Sequence, residues 1–180
     1  MGLQYENLTD DVRRFMVEEI EADQAAGAMY ISNYLNDKGC GDWPGLLLDA
    51  AREGDDDSLS AAIQNNGCLK THVERRKPKG GFTQAAVPYT AHQTLGEGEF
   101  NRYYTRGLCR FAIERGIPQL EVYRGKAVAE PRAASQAAIG KLVDPSAVLE
   151  DLRTTQGVEP ALGLPPGPNS GLVLRIPVGR

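Results

Sequence analysis

Three arginines on one predicted helix have the type and spacing that offer the most definite chemistry in this chain. Arg102, Arg106 and Arg110 stand four residues apart, so a helix places them on one ridge. Such a ridge can bind phosphates, because arginine stays charged and offers several planar donors. The same side chains can instead form ion pairs inside the protein, with Glu99, Glu114 or the acidic N-terminal helices. The sequence leaves both interpretations open.

A second candidate is a cluster of cations in a short segment that is rich in turn-forming residues. Its members are Lys70, Arg75, Arg76, Lys77 and Lys79. Pro78 and the glycines that follow predict a turn, and Val73 and Phe82 lie in flanking strands, so we predict a basic loop or β-arm near 70–82. A glycine-flanked basic loop contributes little to a core, and we expect it to be exposed. Nucleic-acid backbone and an acidic protein surface are both suitable partners.

Acidic and basic residues are segregated along the chain. Residues 1–57 contain fourteen acidic and four basic side chains, whereas residues 68–141 contain thirteen basic and six acidic ones. The formal net charge of −4 therefore hides an acidic first part and a basic middle. Segregation of this kind indicates what a protein contacts more than how it folds.

Catalytic motifs are missing from the sequence. The two histidines are His72 and His92, and the Cys68–His72 pair lacks the further ligands that a zinc site needs. Neither a nucleophile elbow nor a glycine-rich nucleotide loop occurs. Glu121 and Lys126 follow the acidic-then-lysine order of metal-dependent nucleases, but their spacing is too long. We predict no catalytic residue, no metal site and no cofactor.

Helical patterns occupy the first part of the chain. Thr9 has the residue type of an N-cap, and Gly27 predicts the end of the first helix. A second helix is predicted over 42–54 with Pro44 in its first turn, and a third over 57–67 with an aspartate or serine as its cap. Short connections between them favour an acidic helical cluster.

The clearest predicted element is a central helix over 96–115. Thr94 and Glu97 have the spacing of a capping box, and Gly116 stands where the helix should end. Its apolar stripe comprises Phe100, Tyr103, Tyr104, Gly107, Leu108, Phe111 and Ala112. A glycine within such a stripe allows another backbone to approach closely.

The remaining elements are strands and one short helix. Alternation predicts a strand over 120–124, a last strand is predicted over 172–176, and Asp144 followed by proline predicts a helix start. The 163–171 segment, rich in proline and glycine, predicts an irregular loop. The expected fold is a helix-dominated α+β single domain over residues 1–180, with an acidic helical part (1–67), a basic α+β part (68–180) and a small sheet.

These observations favour a contact-making protein over an enzyme. We expect a structural or adaptor subunit of a larger assembly, for example a phage-like particle, that binds copies of itself or other subunits through complementary acidic and basic surfaces. The alternative is a nucleic-acid-binding protein that uses the basic arm and the arginine ridge. No apolar run approaches the ~20 residues of a membrane span. Three scattered cysteines and the lack of a signal-peptide pattern predict a cytoplasmic protein.

Overall fold

A computed structural model describes residues 2–78, 80–155, 163 and 170–177 of the chain. The described residues form six helices and two small antiparallel sheets. The helices are α1 (Asp10–Ala26), α2 (Asp37–Glu53), α3 (Asp56–Asn65), α4 (Ala91–Glu114), α5 (Ala133–Ala138) and α6 (Pro145–Thr154). The strands are β1 (His72–Arg76), β2 (Phe82–Ala86), β3 (Leu120–Arg124), β4 (Leu142–Val143) and β5 (Leu172–Arg175).

Helix α4 is the element around which the other helices pack. It contacts α1, α3 and α6 extensively and reaches β5 at one side. The predicted apolar stripe is buried along α4, except that Phe111 is half-buried. Neither this helix nor any other in the described part of the chain combines the length and apolar character required to cross a membrane. The predicted central helix is confirmed.

The larger sheet has three strands in the order β4-β3-β5, with both neighbours antiparallel to β3. Val122 lies opposite Leu174, and both side chains are buried in the core. The smaller sheet is the separate β1-β2 hairpin. The α+β class, the strands at 120–124 and near 172–176, and the β-arm near 70–82 are confirmed, while most of the 163–171 loop lies outside the described residues.

Several predicted helix ends are formed by the expected capping residues. The Thr9 hydroxyl accepts a hydrogen bond from the Val12 amide at 3.4 Å, and Gly27 adopts the left-handed conformation with φ of 62°. Asp144 accepts from the Ala147 amide at 2.8 Å at the start of α6. Local side-chain chemistry is sufficient at these positions, which is why the sequence predicts them correctly.

The predicted start of the second helix at Asp42 is wrong, because α2 begins earlier. Asn36 caps it, with its side-chain oxygen accepting from the Gly39 amide at 2.7 Å. The same side chain donates to the carbonyl of Gly67 at 2.8 Å, so a contact distant in sequence holds this cap in place. Pro44 consequently lies inside the helix and not in its first turn.

The capping box predicted at Thr94 and Glu97 does not form. The Thr94 amide donates to the carbonyl of Thr90 at 3.0 Å, which places Thr94 within the helix. Glu97 pairs with Lys126. A capping box does form at the start of α3, where Asp55 and Ser58 each accept a hydrogen bond from the other's backbone amide at 2.8 Å. The cap of α3 is therefore Asp55, two or three positions before the predicted one.

Candidate functional site

The β1-β2 hairpin carries the predicted basic cluster. Arg75 and Arg76 lie on β1 and are exposed, and Lys77 follows at the start of the turn. The Lys77 amide donates to the carbonyl of Gly81 at 2.9 Å, and Gly80 and Gly81 have φ of 89° and 78°, which only glycine adopts readily. Lys79 lies outside the described residues. We call residues 72–86 the arm.

Lys70 lies at the root of the arm and not at its tip. Its amide donates to the carbonyl of Tyr34 at 2.8 Å, and its ammonium group donates to the carbonyl of Asn33 at 3.0 Å. These two bonds hold the arm to the loop between α1 and α2. Within the described residues, Arg75, Arg76 and Lys77 form no ion pair with a carboxylate, so the charges at the tip remain available.

The arm contributes almost nothing to the core. Its side chains are exposed on both faces, except for the half-buried Val73 and Ala85 near the root. Phe82, directly opposite Arg76, is 63% exposed, and Tyr89 just beyond the arm is 81% exposed. An isolated two-stranded hairpin is at best marginally stable in water. The arm therefore receives little stabilisation from the rest of the described chain.

The predicted arginine ridge, in contrast, is used inside the chain. Arg106 is 1% exposed, and it binds Glu19 and Asp23 with nitrogen-to-oxygen distances of 2.8 and 2.5 Å. Arg110 pairs with Glu18 at 2.8 Å. Because Arg106 has no outward surface, the phosphate interpretation loses its geometric basis, and the internal ion-pair interpretation agrees with the structure.

Arg102 also points inward, although its partners are backbone groups. It is 6% exposed, and its guanidinium group donates to the carbonyl of Thr155 at 2.7 Å, just beyond the end of α6. A helix end leaves carbonyl groups without intrahelical partners, and a guanidinium group satisfies them well. Arg102 therefore ties α6 to α4.

One buried carboxylate, Glu19, is the centre of a network that was not predicted from the sequence. Arg106 and Arg110 reach it from α4, and Arg153 reaches it from α6 with a closest distance of 2.5 Å. Burial by itself raises the pKa of Glu19, but the hydrogen bonds from Arg153 and Arg106 outweigh burial and hold that pKa below its usual range. The network joins α1, α4 and α6.

A shallow recess of about 330 Å³ opens beside this network. Its lining combines apolar side chains with charged ones: Phe15, Arg110, Ile113, Glu114, Leu149 and Arg153. Both of its guanidinium groups already bind carboxylates of α1. The recess therefore offers little unused binding capacity, and we assign no ligand to it.

A second buried carboxylate anchors the N-terminal segment. Asp56 is 2% exposed and accepts a hydrogen bond from the Leu3 amide at 2.9 Å, while Asp57 accepts from the Gly2 amide at 2.7 Å. Burial raises the pKa of Asp56 to about 6, and the nearby charges of Asp57 and Glu97 act in the same direction. The contact is structural, because it fixes the first residues against α3.

The side chains with catalytic or metal-binding types do not come together. Cys68 is fully buried, and burial raises the pKa of its thiol, whereas His72 is exposed on β1. Glu121 pairs with Arg175 at 3.2 Å, and Lys126 pairs with another carboxylate. In the described part of the chain, no group of three or more histidine, cysteine or acidic side chains is placed to hold a metal ion.

Comparison of the chain with protein-family models, with curated proteins and with solved structures found no match.

Proposed function

We propose that this chain is a structural or adaptor subunit that assembles with copies of itself, and that the arm makes the contact. The observation that supports the proposal is the arm itself, a basic hairpin that leaves the core with both faces exposed. Holding such an element out in water has no benefit for the fold. Docking on a neighbouring subunit would cover it, as in a repeating assembly such as a phage-like particle.

A surface of opposite charge lies where α2 meets α3. Asp49, Glu53, Asp55 and Asp57 are all exposed there, and we call these four residues the acidic corner. Arg52 is the cation closest to them in sequence, and it is 3.9 Å from Asp49. Glu53, Asp55 and Asp57 form no ion pair within the described residues, whereas Glu18, Glu19 and Asp23 of α1 pair with arginines of α4 or α6.

The arm and the acidic corner are different surfaces of one chain. A contact between the tip of one copy and the corner of the next is therefore head-to-tail, and it closes into a ring or extends, depending on the rotation between copies. Charge complementarity of this kind accelerates association and selects the partner, and its strength falls with added salt.

Reversal of the tip charges tests this proposal. We expect Arg75→Glu/Arg76→Glu/Lys77→Glu to weaken self-association about tenfold or more, because attraction to the acidic corner becomes repulsion. Mass measurement by light scattering or native mass spectrometry, across concentration and at low and physiological salt, provides the readout. The matched comparison is Arg75→Glu/Arg76→Glu against the control Arg132→Glu/Lys141→Glu, which changes the net charge equally at exposed positions away from the arm.

Two outcomes would contradict the proposal. A wild-type chain that stays monomeric at every concentration and at low salt has no self-association to explain. Equal weakening by the control variant would show that net charge, and not the arm, controls association. Restoration of binding when the reversed arm is mixed with a chain whose acidic corner carries lysines would support the pairing directly.

Nucleic-acid binding is a second candidate, and the exposed aromatic rings favour it. Phe82 lies opposite Arg76 at the basic tip, whereas Tyr89 lies beyond the root of the arm, and stacking on such exposed rings contributes about 1–3 kcal/mol per base in single strands. If this candidate is correct, we expect random-sequence single strands to bind with a log-log salt slope of about −2 to −3, from three to four cations. Fluorescence anisotropy at two salt concentrations measures the slope, and a lack of salt-sensitive binding would remove this candidate.

A further inference from the structure

The two strands of the arm differ in how their outer edges are protected. β1 carries Glu74, Arg75 and Arg76, and charged side chains of this kind discourage pairing with another strand. β2 reads Phe-Thr-Gln-Ala-Ala and carries no charge or proline. Within the described residues, β2 pairs with β1 and with no other strand. An uncharged, exposed edge strand is a template for strand addition.

The hydrogen-bond alternation shows which backbone groups of β2 face outward. The Lys77 amide bonds to the Gly81 carbonyl and the Val87 amide bonds to the Thr71 carbonyl, both at 2.9 Å. Hydrogen-bonded pairs alternate with non-hydrogen-bonded pairs along an antiparallel ladder. Counting in steps of two from Gly81 to Val87, the hydrogen-bonded pairs of β2 with β1 include those of Thr83 and Ala85. The amide and carbonyl groups of the residues between them, Phe82, Gln84 and Ala86, therefore point away from β1.

We infer that β2 pairs antiparallel with β2 of a second copy, around a two-fold axis that passes through Gln84. This inference rests on the proposed self-assembly, and the edge of β2 is the surface through which two copies pair. In this register Gln84 faces Gln84 of the second copy, and Phe82 faces Ala86 of the second copy. Each of the three outward residues exchanges both backbone bonds with its opposite, and the exposed Phe82 ring gains an apolar neighbour.

The charge pattern selects a second copy as the occupant of this edge. Pairing through β2 gives a four-stranded sheet in the order β1-β2-β2-β1, so the two basic strands lie three strand spacings apart, about 14 Å. That separation exceeds the Debye length of about 8 Å at physiological salt, and repulsion between the arms is screened. Antiparallel two-fold pairing through β1 would place Glu74 directly opposite Glu74 of the second copy, where two like charges repel. The uncharged edge is therefore compatible with itself, and the charged edge is not.

The two contacts of the arm use different sides. Strand pairing occupies the β2 edge, while Arg75, Arg76 and Lys77 lie on β1 and at the turn. Antiparallel pairing also places the tip of each arm level with the root of the other. A two-fold arm contact and a head-to-tail contact can then coexist in one assembly, and the first converts a marginal two-stranded hairpin into a four-stranded sheet.

A charge swap at Gln84 tests both the edge and the register. Because Gln84 faces itself, we expect Gln84→Lys alone and Gln84→Glu alone each to weaken dimerisation about two- to fivefold through like-charge repulsion. An equal mixture of the two variants places opposite charges across the axis, and we expect it to associate about tenfold more tightly than either variant alone. The two variants have almost the same mass, so one of them is isotope-labelled, and native mass spectrometry then resolves the mixed dimer by mass.

Proline substitutions test the backbone groups independently of charge. Gln84→Pro removes an outward amide and leaves the β1 ladder intact, so we expect dimerisation to fall more than tenfold while the hairpin persists. Ala85→Pro is the matched variant that removes an inward amide, and we expect it to disrupt the hairpin itself. Cross-strand contacts between Val73 and residue 85, followed by NMR, report whether the hairpin is present.

The outcomes separate this inference from the proposed function. Association that is weakened by reversal of the tip charges but unchanged by Gln84→Pro would overturn the strand pairing and leave the assembly role standing. A lysine-glutamate mixture no tighter than either variant alone would overturn the register at Gln84, and with it the inference. A chain that never self-associates would overturn both.

Discussion

Replacement of Arg106 by methionine is expected to lower the free energy of unfolding by about 3–5 kcal/mol. Arg106 is almost fully buried and bonds to both Glu19 and Asp23, and Asp23 also accepts from the Tyr103 hydroxyl at 2.9 Å. Loss of the guanidinium group removes the arginine that binds both oxygens of Asp23 and one of the three arginines that bind Glu19. The cost comes from uncompensated buried charge and not from lost packing, because methionine fills a similar volume. Urea denaturation measures the effect.

Two further variants determine whether the cost has this origin. Arg115→Met breaks an exposed ion pair with Asp11 and should change stability by no more than about 1 kcal/mol. Removal of the carboxylates together with the cation, as Arg106→Met/Glu19→Leu/Asp23→Leu, should recover much of the loss, since apolar replacements of a whole buried network are often neutral. If Arg106→Met were no more destabilising than Arg115→Met, the network would not be the element that joins α1 to α4.

Gly107→Ala is expected to destabilise the fold by about 1–3 kcal/mol. A Cβ atom at Gly107 would lie 2.8 Å from the Val12 carbonyl oxygen and 3.0 Å from the Met16 amide nitrogen. Both atoms belong to the backbone of α1, which moves only if the whole helix shifts. The prediction from the sequence that Gly107 permits a close backbone approach is confirmed. Thermal or urea unfolding of the variant measures the cost.

Gly98 provides the matched control on the same helix. A Cβ atom there has no neighbour within 4 Å, and Gly98 lies inside α4 as Gly107 does. Alanine is a better helix former than glycine by about 1 kcal/mol, so Gly98→Ala should stabilise the protein by up to that amount. The two substitutions should therefore act with opposite signs. A destabilising Gly98→Ala, or a neutral Gly107→Ala, would contradict the close packing of α1 on α4.

The charged side chains that are segregated along the sequence fall into two groups in the structure, one paired within the chain and one on the surface. Three acidic side chains of α1 (Glu18, Glu19 and Asp23) pair within the chain with arginines of α4 and α6, and Glu19 binds Arg106, Arg110 and Arg153. The basic tip of the arm and the acidic corner, by comparison, remain on the surface. Only this second set carries the proposed assembly contact, so the functional proposal rests on fewer residues than the charge counts indicate.

Local patterns predicted much of the architecture. The apolar stripe of α4, the caps at Thr9 and Asp144, and the alternation in 120–124 each depend on neighbours in sequence, and each is confirmed. The predicted start of α2 failed because its cap, Asn36, is held by the distant backbone of Gly67, whereas the start of α3 was missed although its Asp55–Ser58 box is local. A signal for the buried network was also present, because Phe15, Glu19 and Asp23 follow the four-residue spacing of one helix face.

The sequence by itself determined the helix-dominated class, the central helix and an exposed basic arm, because turn residues, caps and apolar periodicity act over a few positions. Only the tertiary structure decided which arginines are internal. An i, i+4 row of arginines is the same pattern whether it faces phosphate, solvent or carboxylates. The rotation of α4 and the packing of α1 against it bring Glu19 and Asp23 to Arg106, and no local rule specifies that approach.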